Sequence, residues 1–433
     1  MSVDVAAVHL WGDLVGAVAW DPDRSLATFE YDPAFVNSGR EIAPLTMPLG
    51  QGAFSYPGLD RDAFRGLPGL LADSLPDTWG RSVLNHWLAS QGRPLDSYTP
   101  VEILQYIGVR GMGALEYRPA KRGMGRSEAV TADALADIAA EMVASRSGLA
   151  TTLSDEGLSS LLQVGTSAGG MRAKAIVAWN PDTGEMRSGQ VPAPDGFGYW
   201  IIKFDGVGGD SGSDLSTPVF SDPKGYGRIE YAYWLMARAA GIEMSPSRLE
   251  VDAGGRAHFM TKRFDRTDRG DKLHTQTYQA LTHKSYNESG RHRWEDALVT
   301  TTNLCGYTDA KELYRRMVFN VVARNQDDHT KNISFAMNRA GAWSLAPAYD
   351  VTYANNPASP WVSAHQMTIN GRRTDIDRTD LIAVAESTGV KGASRVIASV
   401  AKAVGAWRDF ASQAEVDSAF VADIEQNIRF DIV

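Results

Sequence analysis

A polar segment, Asn325-Gln-Asp-Asp-His-Thr-Lys-Asn332, constrains this chain most, because it lies between two stretches with the patterns of regular secondary structure. Residues 309–324 before it carry apolar side chains at helical spacing, and residues 333–345 after it resemble a hairpin. Asp309 and Glu312 fit a capping pair near the start of the helix. We therefore predict a helix, a polar loop and a hairpin in succession.

The acidic and amide side chains of this loop have the spacing of a phosphoryl-transfer site. Such a site needs one carboxylate to orient the attacking hydroxyl, and an Asn and a second Asp to hold Mg²⁺ on the phosphate oxygens. Asp327 and Asn332 are five residues apart, as in the kinase loop H-R-D-x-x-x-x-N, and Asp350 lies 23 residues after Asp327. A solvated polar loop is the alternative, but the three residues together favour catalysis.

Two further features are suited to a nucleotide. Lys203 interrupts the apolar run Tyr199–Phe204, so it needs an anionic partner such as an ATP phosphate, unless it is an edge-strand lysine that reaches solvent. Residues 165–174 combine several glycines with Thr166 and Ser167 and could turn backbone N–H groups toward phosphates. A flexible turn before a strand is the alternative there.

Several other kinds of site do not fit the sequence. Met171 follows Gly170 where a Walker A motif would have lysine, so that site is disfavoured. The glycines of residues 108–113 are a lone near-match to a dinucleotide fingerprint, and we interpret them as structural. The sequence contains neither an H-E-x-x-H zinc motif nor a G-x-S-x-G nucleophile elbow between a strand and a helix.

The composition limits the class of protein. The 433 residues include 43 Lys+Arg and 52 Asp+Glu, and the net charge of −9 disfavours a protein that grips nucleic acid over its whole surface, although a local basic patch is possible. The single cysteine, Cys305, excludes an intramolecular disulfide and favours a reducing compartment. No leader-like or membrane-spanning apolar run occurs, so we expect a soluble cytoplasmic protein without membrane contact.

The order of the patterns predicts an α+β fold with a strand-rich N-terminal part and a mostly helical C-terminal part. Residues 6–31 resemble a meander of three strands with tight turns, and residues 70–88 have helical spacing. A polar, glycine-containing stretch at residues 121–127 suggests a boundary near residue 125. We therefore predict a domain over residues 1–125 and a second over residues 126–433.

Together, the motifs resemble the HipA family of bacterial toxin serine/threonine kinases over nearly the whole chain. Leu75-Pro-Asp-Thr-Trp-Gly-Arg81 and Ile107-Gly-Val-Arg-Gly-Met-Gly-Ala-Leu115 are similar to segments of that family's N-terminal region. The segments similar to its kinase region follow in the family's order: Ser167-Ala-Gly-Gly-Met-Arg-Ala-Lys174, Trp200-Ile-Ile-Lys-Phe204, Lys262-Arg-Phe-Asp-Arg266, Asp327-x-His-x-Lys-Asn332 and Ala346-Pro-x-Tyr-Asp-Val351.

The resemblance implies a two-lobed, distant relative of the protein-kinase fold that uses ATP and Mg²⁺. In that family's scheme Asp327 is the catalytic base, and His329 is a structural or phosphate-side contact. Asn332 and Asp350 hold Mg²⁺, and Lys203 contacts the ATP phosphates.

The resemblance also implies the remaining nucleotide contacts and a self-modification. The family often has an acidic residue where Lys262 stands, so adenine contacts at this hinge would come from backbone groups. Ser167 matches the serine that family members phosphorylate on themselves, which ejects the glycine-rich loop and stops ATP binding, and Thr166 is a second possible acceptor. The residues implied in nucleotide binding besides Lys203 are Lys262, Arg263, Phe264, Gly169 and Gly170.

The partners implied are a small DNA-binding antitoxin of the HipB type, through which DNA would mainly be bound, and a protein substrate such as an aminoacyl-tRNA synthetase. Two alternatives stay open. The Asp-x-His-x-x-Asn pattern also occurs in aminoglycoside- and choline-kinase-like enzymes, which phosphorylate small molecules. A catalytically silent scaffold that holds a repressor on DNA is the other.

Overall fold

The computed structural model describes residues 4–50, 52–90, 92, 97–119, 129–146, 172–190, 192–207, 224–267 and 269–432. They form two compact units. The first contains residues 1–227 and 247–275, and the second contains residues 228–246 and 276–433. The predicted boundary near residue 125 lies outside the described residues and stays a prediction.

Strands and helices are numbered here in chain order. The strands are β1 Val5–Leu10, β2 Asp13–Asp21, β3 Leu26–Tyr31, β4 Ala53–Phe54, β5 Leu115–Arg118, β6 Ala129–Val130, β7 Lys174–Trp179, β8 Met186–Ser188, β9 Gly198–Lys203, β10 Ser247–Val251, β11 Ala257–Lys262, β12 His274–Thr277, β13 Ser334–Met337 and β14 Trp343–Leu345. The helices are α1 Pro33–Val36, α2 Arg61–Phe64, α3 Gly69–Ala72, α4 Thr78–Ser90, α5 Pro100–Ile107, α6 Ala132–Arg146, α7 Tyr226–Ala239, α8 Tyr278–Thr282, α9 Trp294–Cys305, α10 Tyr307–Val322, α11 Arg378–Thr388, α12 Ala393–Val404, α13 Trp407–Gln413 and α14 Ser418–Asn427.

The predicted meander is confirmed as the centre of a sheet with strand order β4-β3-β2-β1-β5. Neighbouring strands β1, β2 and β3 pair antiparallel. The turn before β3 is held by Asp21, whose Oδ1 accepts hydrogen bonds from the N–H groups of Asp23 and Arg24. Such an aspartate-initiated turn explains why the short strands can be recognised from sequence.

The helix predicted over residues 70–88 is wrong in its continuity. Helix α3 ends at Ala72 and α4 begins at Thr78. Pro76 lies between them and disfavours helical geometry in the residue before it. Asp77 then caps the second helix, because its Oδ1 accepts a hydrogen bond of 2.6 Å from the N–H of Gly80.

The second sheet of the first unit has strand order β10-β11-β9-β7-β8-β6. Helices α4 and α6 cover it, since their apolar residues and alternate residues of the central strands form one buried cluster. Burial of this apolar surface is the main driving force for the assembly. Members of the cluster include Trp79, Val83, Leu135, Ala139, Ala175, Val177, Trp200, Ile202 and Met260.

The second unit is mostly helical, as predicted for the end of the chain, and carries the antiparallel hairpin of β13 and β14. The predicted helix, loop and hairpin around residues 309–345 are confirmed. The predicted capping pair is wrong, because α10 begins at Tyr307 without a side-chain cap. Asp309 instead accepts the N–H of Leu345, and Glu312 accepts the N–H of Glu243.

The overall fold class is therefore α+β, with a strand-rich N-terminal part and a helical C-terminal part, as the sequence predicts. Among the residues described, every helix is too short or too polar to cross a membrane.

The pH dependence of stability should include a contribution from His283. This residue ends α8 in the left-handed region with φ 59°, and burial lowers its pKa to about 4. At neutral pH it is uncharged in both the folded and the unfolded chain. Below its unfolded pKa of about 6.5 the unfolded chain takes up a proton that the folded chain does not, so stability is lost as pH falls toward 4.

We expect His283→Asn to flatten this dependence, since asparagine tolerates the same backbone region. Between about pH 6.5 and pH 4.5 the free energy of unfolding should fall less steeply in the variant, by up to about 1.4 kcal/mol per pH unit. Urea titrations followed by circular dichroism measure this. Parallel curves for the two proteins over that window would contradict the assignment.

Candidate active site

The polar loop of the second unit follows directly from the end of α10. Arg324 takes a left-handed conformation with φ 58°, which turns the chain out of the helix. After the loop, residues 330–332 form one turn of 3-10 helix. The Asn332 side-chain nitrogen donates a 2.7 Å hydrogen bond to the backbone oxygen of Asp327, so the loop is closed between the two residues singled out by their spacing.

Adjacent aspartates in this loop have opposite environments. The side chain of Asp327 is 47% exposed, whereas that of Asp328 is fully buried. The Asp328 carboxylate accepts hydrogen bonds from the Trp294 indole at 2.8 Å and from the backbone N–H of Gln366 at 2.7 Å, and its Oδ2 lies 2.9 Å from Nδ1 of His365. A buried carboxylate needs such donors to offset its lost hydration. Asp328 therefore fixes the backbone from which Asp327 projects.

Asp327, Asn332 and Asp350 line one cavity of about 30 Å³ in the second unit, together with Asp328. The volume is sufficient for a water molecule or a metal ion. Because the Asn332 nitrogen is bonded to Asp327, its side-chain oxygen is the atom left for a metal. Carboxylate and amide oxygens are the ligands Mg²⁺ prefers, and it commonly uses only one or two carboxylates and completes its shell with water and phosphate.

The described residues contain no cluster of three or more His, Cys, Asp or Glu side chains arranged for a metal ion. A Mg²⁺ site shared with phosphate oxygens does not require an all-protein cage. The donor set of the Asp350 carboxylate and the Asn332 amide oxygen thus fits Mg²⁺.

Asp350 is held in an unusual backbone conformation. Its φ is 52°, in the left-handed region that few residues other than glycine and asparagine or aspartate adopt. The preceding Tyr349 is anchored, since its hydroxyl donates to the backbone oxygen of Lys331 and accepts from Ser334, whose Oγ is 2.6 Å away. Through Tyr349, the backbone next to Asp350 is therefore held against the same turn that carries Asn332.

His329 lies beside the exposed aspartate without bonding to it. Its Nε2 is 3.8 Å from Oδ1 of Asp327, which is beyond hydrogen-bond distance. The ring packs against Tyr286 with centroids 5.5 Å apart, and Nδ1 is buried with no partner within the described part of the chain. The geometry places His329 at the loop as a neighbour of Asp327.

Lys203 of the first unit is buried at the end of β9. Because β9 lies between β7 and β11, the edge-strand alternative is wrong. Its ammonium nitrogen is 5.9 Å from the centre of the Phe259 ring on β11. The side chain is thus presented from the interior of a sheet, where a cation requires anionic or π partners.

A second buried lysine stands directly opposite Lys203 across the β7–β9 pair. This residue, Lys174, is neutralised by Asp77, whose carboxylate oxygen is 2.7 Å from the lysine nitrogen. Trp79 donates its indole hydrogen to the backbone oxygen of Lys174 at 2.9 Å. Two like charges paired across strands repel one another, so the carboxylate of Asp77 is needed to place both lysines there.

The segment predicted as an adenine hinge leaves the end of β11. Lys262 is half-buried, whereas Arg263 is buried and forms two hydrogen bonds of 2.7–2.8 Å with the carboxylate of Asp265. The Arg263 N–H donates to the backbone oxygen of Tyr199. The Arg263 guanidinium is therefore engaged by Asp265, and the adenine contact predicted for this segment stays a prediction.

Asp265 joins this segment to the glycine motif of residues 107–115. It accepts the N–H of Gly113 at 2.7 Å and a further bond from Arg266, whose guanidinium also bonds the backbone oxygens of Gly111 and Gly113. Burial alone would raise the pKa of Asp265, but the two guanidinium groups outweigh it and hold the pKa far below its usual range. The carboxylate is therefore charged at neutral pH.

The other predicted site residues are Thr166, Ser167, Gly169 and Gly170, and all four lie outside the described residues. The predicted phosphate and adenine contacts that are described belong to the first unit, and the predicted base and metal ligands belong to the second. Lys203 and Lys262 lie on the adjacent strands β9 and β11 of the first unit, and Asp327, Asn332 and Asp350 line one cavity of the second.

Two family models cover most of this chain. The model described as the HipA-like C-terminal domain matches residues 166–407, and that of the HipA N-terminal domain matches residues 6–118. The chain belongs to the HipA family. The resemblance drawn from the motifs is thereby confirmed.

A solved structure has the same fold. It is HipA of the Shewanella oneidensis MR-1 toxin-antitoxin system, determined in a complex of HipA, HipB and operator DNA. The match has a TM-score of 0.66 and 17% sequence identity, and it covers 97% of this chain and 95% of that chain. A search of curated proteins finds no match. The Shewanella structure thus supports the HipA fold over nearly the whole length.

Sequence reasoning misses the residues that hold the HipA-family motifs in place. The sequence identifies Asp328 only as a member of a polar loop and Asp77 only as a member of a family motif. It assigns neither residue a structural role. A signal is present for each: two consecutive aspartates cannot both face the same way in an extended loop, and Asp77 follows a proline at a helix start. Neither signal identifies the distant donor groups, which come from Trp294, His365 and Lys174.

We expect Asp328→Asn and Asp327→Asn, changes of identical chemistry at neighbouring positions, to differ in their effect on stability. Asparagine at 328 would place an N–H₂ group against donors that now meet a carboxylate, so the free energy of unfolding should fall by about 2–4 kcal/mol. At the half-exposed position 327 the change should stay within about 0.5 kcal/mol. Urea denaturation followed by tryptophan fluorescence measures both, and equal losses would contradict the role given to Asp328.

Proposed function

We propose that this HipA-family chain is an ATP- and Mg²⁺-dependent serine/threonine protein kinase. The observation that carries the proposal is the shared cavity of Asp327, Asn332 and Asp350. The three side chains supply one carboxylate for a substrate hydroxyl and an amide and a carboxylate for a metal, which are the groups that phosphoryl transfer requires. Their positions in the family's motifs agree with this assignment.

In the proposed reaction Asp327 orients the attacking hydroxyl and takes up its proton. The hydroxyl oxygen forms a bond to the γ-phosphorus of ATP as the bond between that phosphorus and the ADP oxygen breaks. The half-exposed Asp327 carboxylate can reach a substrate, whereas Asp328 cannot because its oxygens are already bonded. Asn332 and Asp350 would hold Mg²⁺, which when bound neutralises phosphate charge.

The first unit would contribute the nucleotide contacts. Lys203 is proposed to contact the phosphates, because it stands in the family's strand motif Trp200-Ile-Ile-Lys-Phe204 and is buried on a central strand of the sheet. The segment Lys262–Phe264 would contact adenine, mainly through its backbone, since the Arg263 guanidinium is bonded to Asp265. Gly169 and Gly170 are proposed to lie at the phosphates on the family's pattern.

Self-inactivation is proposed to occur on Ser167, with Thr166 as the second acceptor. Both hydroxyls belong to the glycine-rich segment that matches the family motif. A phosphate there would add nearly two negative charges beside the site for ATP phosphates and repel them.

The partners are proposed from the family and from the related Shewanella oneidensis structure, in which HipA is in complex with HipB and operator DNA. We propose a small HipB-like DNA-binding antitoxin as partner in the cytoplasm, with DNA bound mainly through it. The acidic balance of this chain supports that division. An aminoacyl-tRNA synthetase is the proposed substrate, on family grounds alone.

The test is incubation of the purified chain with Mg·ATP, beside Asp327→Asn, with phosphate detected by intact mass and located by peptide mapping. We expect phosphate on Ser167 or Thr166 in the parent protein and a rate at least about a hundredfold lower in the variant, because the proton acceptor is removed. Circular dichroism should show that the variant is folded.

Three outcomes would contradict parts of the proposal. Protein that binds ATP but carries no phosphate at either position would exclude self-inactivation. Transfer to an aminoglycoside or to choline would favour the small-molecule kinase alternative. Failure to bind ATP, measured by calorimetry, would favour the silent scaffold.

A further inference from the structure

A basic groove lies in the second unit, on helices that carry none of the proposed catalytic residues. It encloses about 260 Å³ and is lined by side chains of α10 and of the first two turns of α12. Four of its lining residues are cations, and no lining residue is acidic. They are Lys311 and Arg315 on α10, and Lys391 and Arg395 at the start of α12.

The spacing of these residues turns them toward the groove. Lys311 and Arg315 are four residues apart on one helix and share a face, whereas Lys391 precedes the Gly392 N-cap and Arg395 lies in the first turn of α12. Like charges at this spacing repel one another. An arrangement of four cations around one concavity therefore costs stability, and a bound anion would remove that cost.

Internal acids compensate this charge only in part. Arg315 has Glu312 at 3.6 Å and donates to the backbone oxygen of Ala240 at 3.2 Å. Across the ranges the structure describes, the side chains of Lys311, Lys391 and Arg395 form no ion pair. By contrast, Arg408 of the same unit is paired with Glu425. The groove thus holds three cations whose charge the described residues leave uncompensated.

The first turn of α12 adds backbone donors to the same groove. Its N-cap is Gly392, which lines the groove and supplies no capping side chain. In the part of the chain that is described, the N–H groups of Ala393 and Ser394 meet no acceptor. Helix N-termini of this kind favour anions through these N–H groups and the helix dipole. The hydroxyl of Ser399, one further turn along, is another donor in the lining.

We propose that this groove binds a di- or triphosphate group. Its volume is slightly below the range of about 300–1,000 Å³ for sites of drug-sized ligands, so it suits a compact anion better than a larger organic molecule. Several phosphates are needed to match three uncompensated cations and a helix N-terminus. A chain with a net charge of −9 is poorly suited to follow a nucleic-acid backbone, whereas a local pocket does not depend on the net charge.

The groove is independent of the proposed kinase site. The residues that line it share no member with the cavity of Asp327 and Asp350. The same phosphate chemistry could come from inorganic polyphosphate or from a nucleotide, and the experiment must separate these sources.

The test is titration calorimetry of the full chain with inorganic tripolyphosphate in buffer with EDTA, so that no Mg²⁺-dependent binding contributes. We expect saturable binding that weakens about tenfold in each of Lys391→Gln and Arg395→Gln, because each removes one charge-assisted contact. Lys402→Gln is the matched control, since Lys402 lies on the same helix but does not line the groove. It should bind within twofold of the parent protein, and none of the three variants should melt at a lower temperature than the parent.

A parallel titration with ATP in EDTA separates the two sources. Binding at least tenfold tighter than tripolyphosphate, still weakened by Arg395→Gln, would identify a nucleotide, and equal affinities would identify the free polyphosphate. No saturable binding of tripolyphosphate would overturn the proposal. Equal weakening by Lys402→Gln, or loss of binding only in Asp350→Asn, would also overturn it. So would binding of a short DNA duplex that depends on Lys391 and Arg395 and is not displaced by tripolyphosphate.

Discussion

The fully buried carboxylate of Asp328 is the interaction on which the candidate site depends. It gathers three donors from two parts of the second unit: an indole on α9, and an imidazole and a backbone N–H from the consecutive residues His365 and Gln366. Removing a carboxylate from water is costly, and only a complete set of donors makes it tolerable. The half-exposed Asp327 projects from the backbone that these hydrogen bonds of Asp328 hold in place.

The first unit uses buried carboxylates in the same way. Asp77 meets Lys174 on β7, and Asp265 meets Arg263 and Arg266 after β11. Both acids have a partner that is distant in sequence. Asp77 pairs with Lys174, and Asp265 accepts the backbone N–H of Gly113. These ion pairs are weak evidence for high stability, because desolvation offsets much of their attraction. Their contribution is to fix where the strands carrying Lys203 and Lys262 end.

The local elements are predictable because their signals are local. Alternation and aspartate turns define the meander, and the spacing of Asp327, Asn332 and Asp350 anticipates that they line one cavity. The break between α3 and α4 at Pro76 has a local cause, whereas the predicted capping pair fails because of competition from distant partners. Asp309 and Glu312 have the sequence of a helix cap, but the N–H groups of Leu345 and Glu243 take their carboxylates. A sequence pattern indicates which local hydrogen bonds a side chain can form. It gives no information about a donor that lies far away in sequence and is close only in the folded protein.

The same reasoning explains why net charge says little about sites. The chain is acidic as a whole, yet several of its carboxylates are buried and paired with internal cations or N–H groups. Examples are Asp77, Asp265 and Asp328. Cations that are not paired with a carboxylate within the described residues, such as Lys391 and Arg395, determine the electrostatic potential in their surroundings. The electrostatic potential of a few charged side chains falls off within roughly 10 Å at moderate ionic strength. A basic groove and an acidic surface can therefore exist on one protein without cancelling each other's potential. The location of a charged binding site in such a chain therefore depends on which charged side chains are paired in the folded structure and which are not.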